Sequence, residues 1–254
     1  MKVLRLWDQR RAELGGGKIR YNKYGRGGTD EGDQTNEIGL SLVASDFILT
    51  ILWICGSDFI TVLVYDIFNG GEFDRWILSI ILRYLLARFG QVTGGGTFTT
   101  LPILASAAYG DLSEFRFVVV WRVFAQVIGY AVGNRLTTKA VPAVLKVGTL
   151  RGALTEGLMS FTMVIGYLGL RQTVPSLFVK IFISEILRMT LDNLVSGITG
   201  GFISPAKFIG LTFSHGIYLS RKQLIVNFVA SLYATGLAVF VFRKMTPTKR
   251  NKWD

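Results

Sequence analysis

Six stretches of this chain are apolar for long enough to cross a bilayer: about 40 to 66, 75 to 92, 115 to 136, 151 to 171, 175 to 197 and 222 to 243. A spanning helix needs about 20 mostly apolar residues, so the pattern predicts an all-α membrane protein with six transmembrane helices. One segment interrupts it. "ITGGFISPAKFIG", residues 198 to 210, puts two glycines, a Ser-Pro pair and a lysine where helix would otherwise continue.

That segment has a local physical reading. Ser204 suits a helix N-cap, its hydroxyl accepting a backbone N–H, and Pro205 suits the first helical position, where a missing N–H is no loss. A short helix is therefore expected from Ser204, running about two apolar turns before Gly210. Irregular backbone at membrane depth survives only when buried in protein or lining a watery path. The segment therefore reads as a re-entrant half-helix.

The first half of the chain offers a counterpart. "VTGGGTFTTLPI" from Val92 and "ITGGFISPAKFI" from Ile198 share a [VI]-T-G-G start, and some fifty residues upstream of each lies an acid followed four positions later by a hydroxyl: Asp46 and Thr50, Glu156 and Ser160. Two matched landmarks predict a three-plus-three duplication, with repeats over about 38–140 and 148–245. An odd number of spans per half inverts the second copy, which places a site at the midplane. The N-terminal ends of two half-helices would meet there, and their dipoles would repel cations.

Composition supports a membrane class. Half of the 254 residues are hydrophobic and the mean hydropathy is +0.42. The net charge of +11 raises nucleic acid as a partner, but the basic residues gather at the termini and in short connections, which argues against it. Residues 1–37 read as a disordered basic tail and 246–254 as a second tail; an even number of spans and basic ends put both in the cytosol. A single cysteine, Cys55, and a single histidine, His215, leave no disulfide and no His-based metal site, and no cofactor is expected.

Charged residues inside the spans are Asp46, Asp58, Arg83, Arg88, Arg122, Glu156, Lys180, Glu185, Arg188 and Asp192. A charge facing lipid costs at least a few kcal/mol, so these should face the interior, pair, or snorkel to the interface. No His cluster, activated nucleophile or spaced carboxylate pair suggests an enzyme.

"SPAK" (Ser204 to Lys207), its "TGG" lead-in, "AQVIGYAVG" from Ala125 and "GALTEGLMSF" from Gly152 together resemble the aquaporins, or major intrinsic proteins, most closely the plant small basic intrinsic proteins of the second type. The resemblance covers roughly residues 38–245. It implies a passive channel for water or small neutral solutes, an endoplasmic reticulum membrane and a homotetramer. By the same resemblance, Thr99, Thr100 and Leu101 form the first pore box and Ser204, Pro205 and Ala206 the second, neither keeping the family's Asn. The narrow filter is carried over as Asp192, Phe202 and Lys207, with a second-span member near Ser79. Two arrangements stay open: Asp192 bridges the pore to Lys207, or it pairs with Arg188 on its own helix. Asp46 and Glu156 are expected to accept backbone or hydroxyl donors from the re-entrant loops. Alternative functions are a channel or transporter for another small solute or ion, and a nonconducting membrane protein.

Overall fold

The computed structural model describes residues 29–109, 117–137, 145–195, 197–200, 204–214 and 221–246. The chain divides into two units, 1–37 and 38–254. Of the first, only the helical residues from Thr29 onward are described; the other described residues belong to the second.

Among the described residues all regular structure is helical. Helix α1, Thr29–Val62, ends in a π turn, Leu63–Ile67, and is followed by α2, Glu72–Val92, and the ten-residue α3, Thr100–Tyr109. A π turn at Val118–Arg122 leads into α4, Val123–Thr137. Then come α5, Thr149–Thr173, α6, Leu177–Val195, and a second ten-residue helix, α7, Pro205–Ser214. The last helix, α8, starts as Arg221–Leu224, passes through a π turn at Ile225–Val229 and ends as Ala230–Met245. Among the described residues three helices, Gly39–Ile67, Thr149–Thr173 and Arg221–Met245, are long and apolar enough to cross a membrane.

Two expectations need correction. Helix α1 is already formed at Thr29, inside the stretch read as a disordered tail. Helix α7 does not stop at Gly210 but runs on to Ser214. A Cβ at Gly210 would stand 2.4 Å from Tyr130 Cβ and 2.7 Å from Val127 O, so this glycine lets α7 lie directly on α4 rather than ending the helix.

The distribution of polarity is the reverse of a water-soluble domain. Asp46, Thr50, Gln126, Glu156, Ser160, Glu185 and Ser231 are at 0% exposure. Leucines and aromatics such as Leu154, Leu158, Tyr233 and Phe240 lie on the outside. Where the surrounding medium is hydrocarbon, apolar groups lose nothing by facing out, and polar groups gain by finding partners within. The apolar interior that remains is shared between halves: Leu101 and Ala105 of α3 pack with Met159, Val164 and Leu168 of α5, Leu191 and Val195 of α6, and Ala238, Val239 and Phe242 of α8.

The duplicated T-G-G signature has a backbone cause. Gly94 and Gly200, at matching positions, both sit in the left-handed region, with φ of +82° and +94°. A side chain there is strained. In both halves this turns the chain towards its ten-residue helix.

A candidate pore site

Helices α3 and α7 approach each other by their N-terminal ends, where Thr100 Oγ1 and Ser204 Oγ lie 3.1 Å apart. Ser204 O accepts the Phe208 N–H at 3.1 Å, the first bond of α7, and Ser204 Oγ lies 3.4 Å from the Lys207 N–H, a long capping bond. Thr99 precedes α3 as Ser204 precedes α7. Pro102 falls in the first turn of α3, where backbone N–H groups have no intrahelical partner to lose. Gln126 of α4 steadies the junction: its Oε1 accepts from Thr100 Oγ1 at 2.7 Å, and its Nε2 donates to Thr97 O at 2.9 Å. With both positive helix ends turned to one point, the field there opposes cations.

This junction borders a cavity of about 890 Å³. Thr99, Thr100, Leu101, Ser204, Asp192, Lys207 and Ser79 all line it. Pro205 and Ala206 are buried behind it, Ala206 packing with Ile54 and Tyr130. Phe202 lies outside the described residues. Asp192 pairs with Arg188 on its own helix, whose Nη1 donates to its carboxylate. Lys207 faces the same cavity from the first turn of α7.

The two buried acids hold the lead-in segments, each in its own way. Asp46 accepts the Thr97 N–H at 2.6 Å and a fork from Arg122, Nε to Oδ2 at 2.6 Å and Nη2 to Oδ1 at 2.8 Å. The same Nη2 donates to Gly95 O at 2.9 Å, so Arg122 ties α1 and the glycine turn to the third apolar stretch. Glu156 accepts from Thr199 Oγ1. Thr93, the counterpart of Thr199, bonds Ser45 Oγ instead, at 2.6 Å.

A second charge network escaped sequence reasoning. Arg83 of α2 forms an ion pair with Glu185 of α6, which is fully buried, and Glu185 also accepts from Arg188 Nε and Nη2. Arg188 passes the chain on to Asp192. The signal was present: an arginine and a glutamate stand inside the second and fifth apolar stretches, which correspond under the repeat and would face each other across a midplane site. No group of three His, Cys, Asp or Glu residues that could hold a metal occurs among the described residues.

No protein-family model matches the chain. Individual proteins do. It is 32% identical over 216 residues to a protein named probable aquaporin SIP2-1 from Arabidopsis thaliana, covering 80% of this chain and 91% of that one. It is also 32% identical over 222 residues to aquaporin SIP2-1 of Oryza sativa subsp. japonica, covering 82% and 89%, and 32% identical over 224 residues to that of Zea mays, covering 83% and 90%. Similarity along four-fifths of the length, together with two short helices meeting over a cavity inside an apolar exterior, means that the chain belongs to the aquaporin family, as a small basic intrinsic protein of the SIP2 type.

Proposed function

We propose that the chain is a passive channel for water or small neutral solutes, built from six membrane spans and two re-entrant half-helices, α3 and α7, in inverted repeats over about 38–140 and 148–245. The observation that carries this reading is the contact of Thr100 with Ser204 at the wall of the 890 Å³ cavity. Hydroxyls at converging helix N-termini give passing water partners while the paired dipoles oppose cations. Thr99, Thr100 and Leu101 act as the first box, Ser204, Pro205 and Ala206 as the second. Asp192 and Lys207 contribute to the filter together with Phe202, while Asp46 and Glu156 serve as anchors for the lead-in loops. Each box offers hydroxyls in place of Asn. A hydroxyl has one donor, and a carboxamide supplies two donors beside its acceptor, so the central hold on water is weaker. Both termini face the cytosol, and the family relationship suggests an endoplasmic reticulum membrane and a homotetramer.

Purified protein in liposomes tests the reading. Osmotic shrinkage followed by light scattering should be faster than in empty vesicles. Rates equal to those of empty vesicles for water, glycerol and hydrogen peroxide alike would remove the channel reading and leave a nonconducting membrane protein.

A further inference from the structure

We propose that Arg83 is the residue that sets charge selectivity in this pore, a fixed guanidinium on the lumen wall that bars cations and protons. The inference rests on the channel reading above and deepens it. Among the described residues six basic side chains line the cavity, Arg83 and Arg188 with them, against two acidic ones, Asp58 and Asp192. The wall is therefore cationic. Glu185, the main counter-charge of both arginines, is at 0% exposure and is not part of the lining, so the positive groups stand in front and the carboxylate behind.

What distinguishes Arg83 is that elements other than its own helix hold it, whereas Arg188 is bonded within α6 and lies farther from Trp53, at 5.9 Å. Its guanidinium carbon lies 4.4 Å from the centre of the Trp53 ring and 5.3 Å from that of Phe98, two rings that stack on each other with centroids 5.0 Å apart. The ion pair with Glu185 fixes its other side. Trp53 belongs to α1, Phe98 to the lead-in of α3 and Glu185 to α6, so three elements besides its own determine the position of one charge. Lys207, which the family spacing puts in the filter, carries a point charge on a flexible stem, and the planar fork of an arginine held against two rings is the more rigid barrier. Arg83 lies one helical turn beyond Ser79, so this barrier stands on the same face of α2 as the position expected for the filter, one turn further along.

Proteoliposomes loaded with a pH-sensitive dye test this under an inward proton gradient, with potassium equal on both sides and valinomycin present to clamp the potential; water flux is measured on the same vesicles. Arg83→Met should raise proton flux about tenfold over the unaltered protein, the loss of a modest electrostatic barrier. Arg83→Lys, which keeps charge but loses the fork, should fall between the two. Arg88→Met, at a surface arginine bonded to Gln91 on the same helix, should match the unaltered protein. If Arg83→Met does not reconstitute as intact protein, Arg83→Lys carries the test alone, and a proton flux equal to the unaltered protein's overturns the proposal. So does a leak in Arg83→Lys as large as in Arg83→Met. Rapid water flux in the unaltered protein with no change in the Arg83 variants defeats this inference and spares the channel reading. Unaltered protein no faster than empty vesicles for water, glycerol and hydrogen peroxide alike defeats the channel reading, and this inference falls with it.

Discussion

Arg188 donates through Nη1 to Asp192, four residues later on the same helix, while its Nε and Nη2 hold Glu185, three residues earlier. One guanidinium thus answers two carboxylates on consecutive turns, and Asp192 is the outer and less buried of them, its side chain 25% exposed against 0% for Glu185. Asp192→Asn should therefore leave Arg188 anchored and shift stability by about 1 kcal/mol, the pair being a partly buried i,i+4 contact whose arginine keeps Glu185. The lumen, however, loses one of its two acids. Chloride entry into proteoliposomes should rise with water flux little altered; a chloride rate that stays put would remove Asp192 from the pore wall.

Arg122 and Asp46 make the opposite case, because Arg122 alone supplies a two-pronged counter-charge to that acid. Arg122→Met leaves a fully buried carboxylate with the Thr97 N–H to hold it, and stranding one member of a buried pair costs about 3–5 kcal/mol. Thermal unfolding in detergent should show a large loss. The double variant Asp46→Asn with Arg122→Met should recover much of it, since the stranded charge is gone. A double variant as unstable as Arg122→Met alone would mean that the arginine acts through its bond to Gly95 O instead.

Gly210 tests the fold without touching a charge. An alanine there would press its methyl group to within 2.4 Å of Tyr130 Cβ, and overpacking of this kind costs about 1–3 kcal/mol. Gly236 of α8 meets nothing within 4 Å, so Gly236→Ala should be neutral or stabilising by up to about 1 kcal/mol through helix propensity. Comparing the two melting curves checks the contact between α7 and α4. Equal shifts would show that α7 stands off from α4.

The residues behind these predictions differ in how openly the sequence displayed them. Long apolar runs announce helices, and the helices lie on those runs within a few residues except for α1, which starts well before its run, at Thr29. The T-G-G pairs were visible because a left-handed turn restricts composition, as Gly94 and Gly200 show. Gly210 was misread as a helix stop because a glycine that ends a helix and one that admits a neighbour look the same in one dimension. The three π turns leave no trace in periodicity, since inserting one residue into a helix apolar on several sides changes little. The pairing of Arg83 with Glu185 joins residues a hundred positions apart, and only the repeat hinted that their helices face each other. Asp192 had two cationic partners open to it in the sequence, and its bond to Arg188 became visible only once the helix placed them four residues apart on one face.

Ser204 is where the remaining chemistry of the pore can be tuned. Its capping bond to Lys207 N is long at 3.4 Å, so Ser204→Ala should cost stability at most about 1 kcal/mol, the lower part of the range for an N-cap. It would also strip the hydroxyl that meets Thr100 Oγ1 at 3.1 Å, leaving water one partner fewer at the junction of α3 and α7. Water permeability per reconstituted protein should fall. Ser204→Asn restores a side chain that caps about as well and whose amide can donate to water while its oxygen faces the helix. Its water permeability should exceed that of the unaltered protein. Stopped-flow light scattering on matched vesicles measures both; a slower Ser204→Asn beside an unchanged Ser204→Ala would show that water does not pass between these two helix ends.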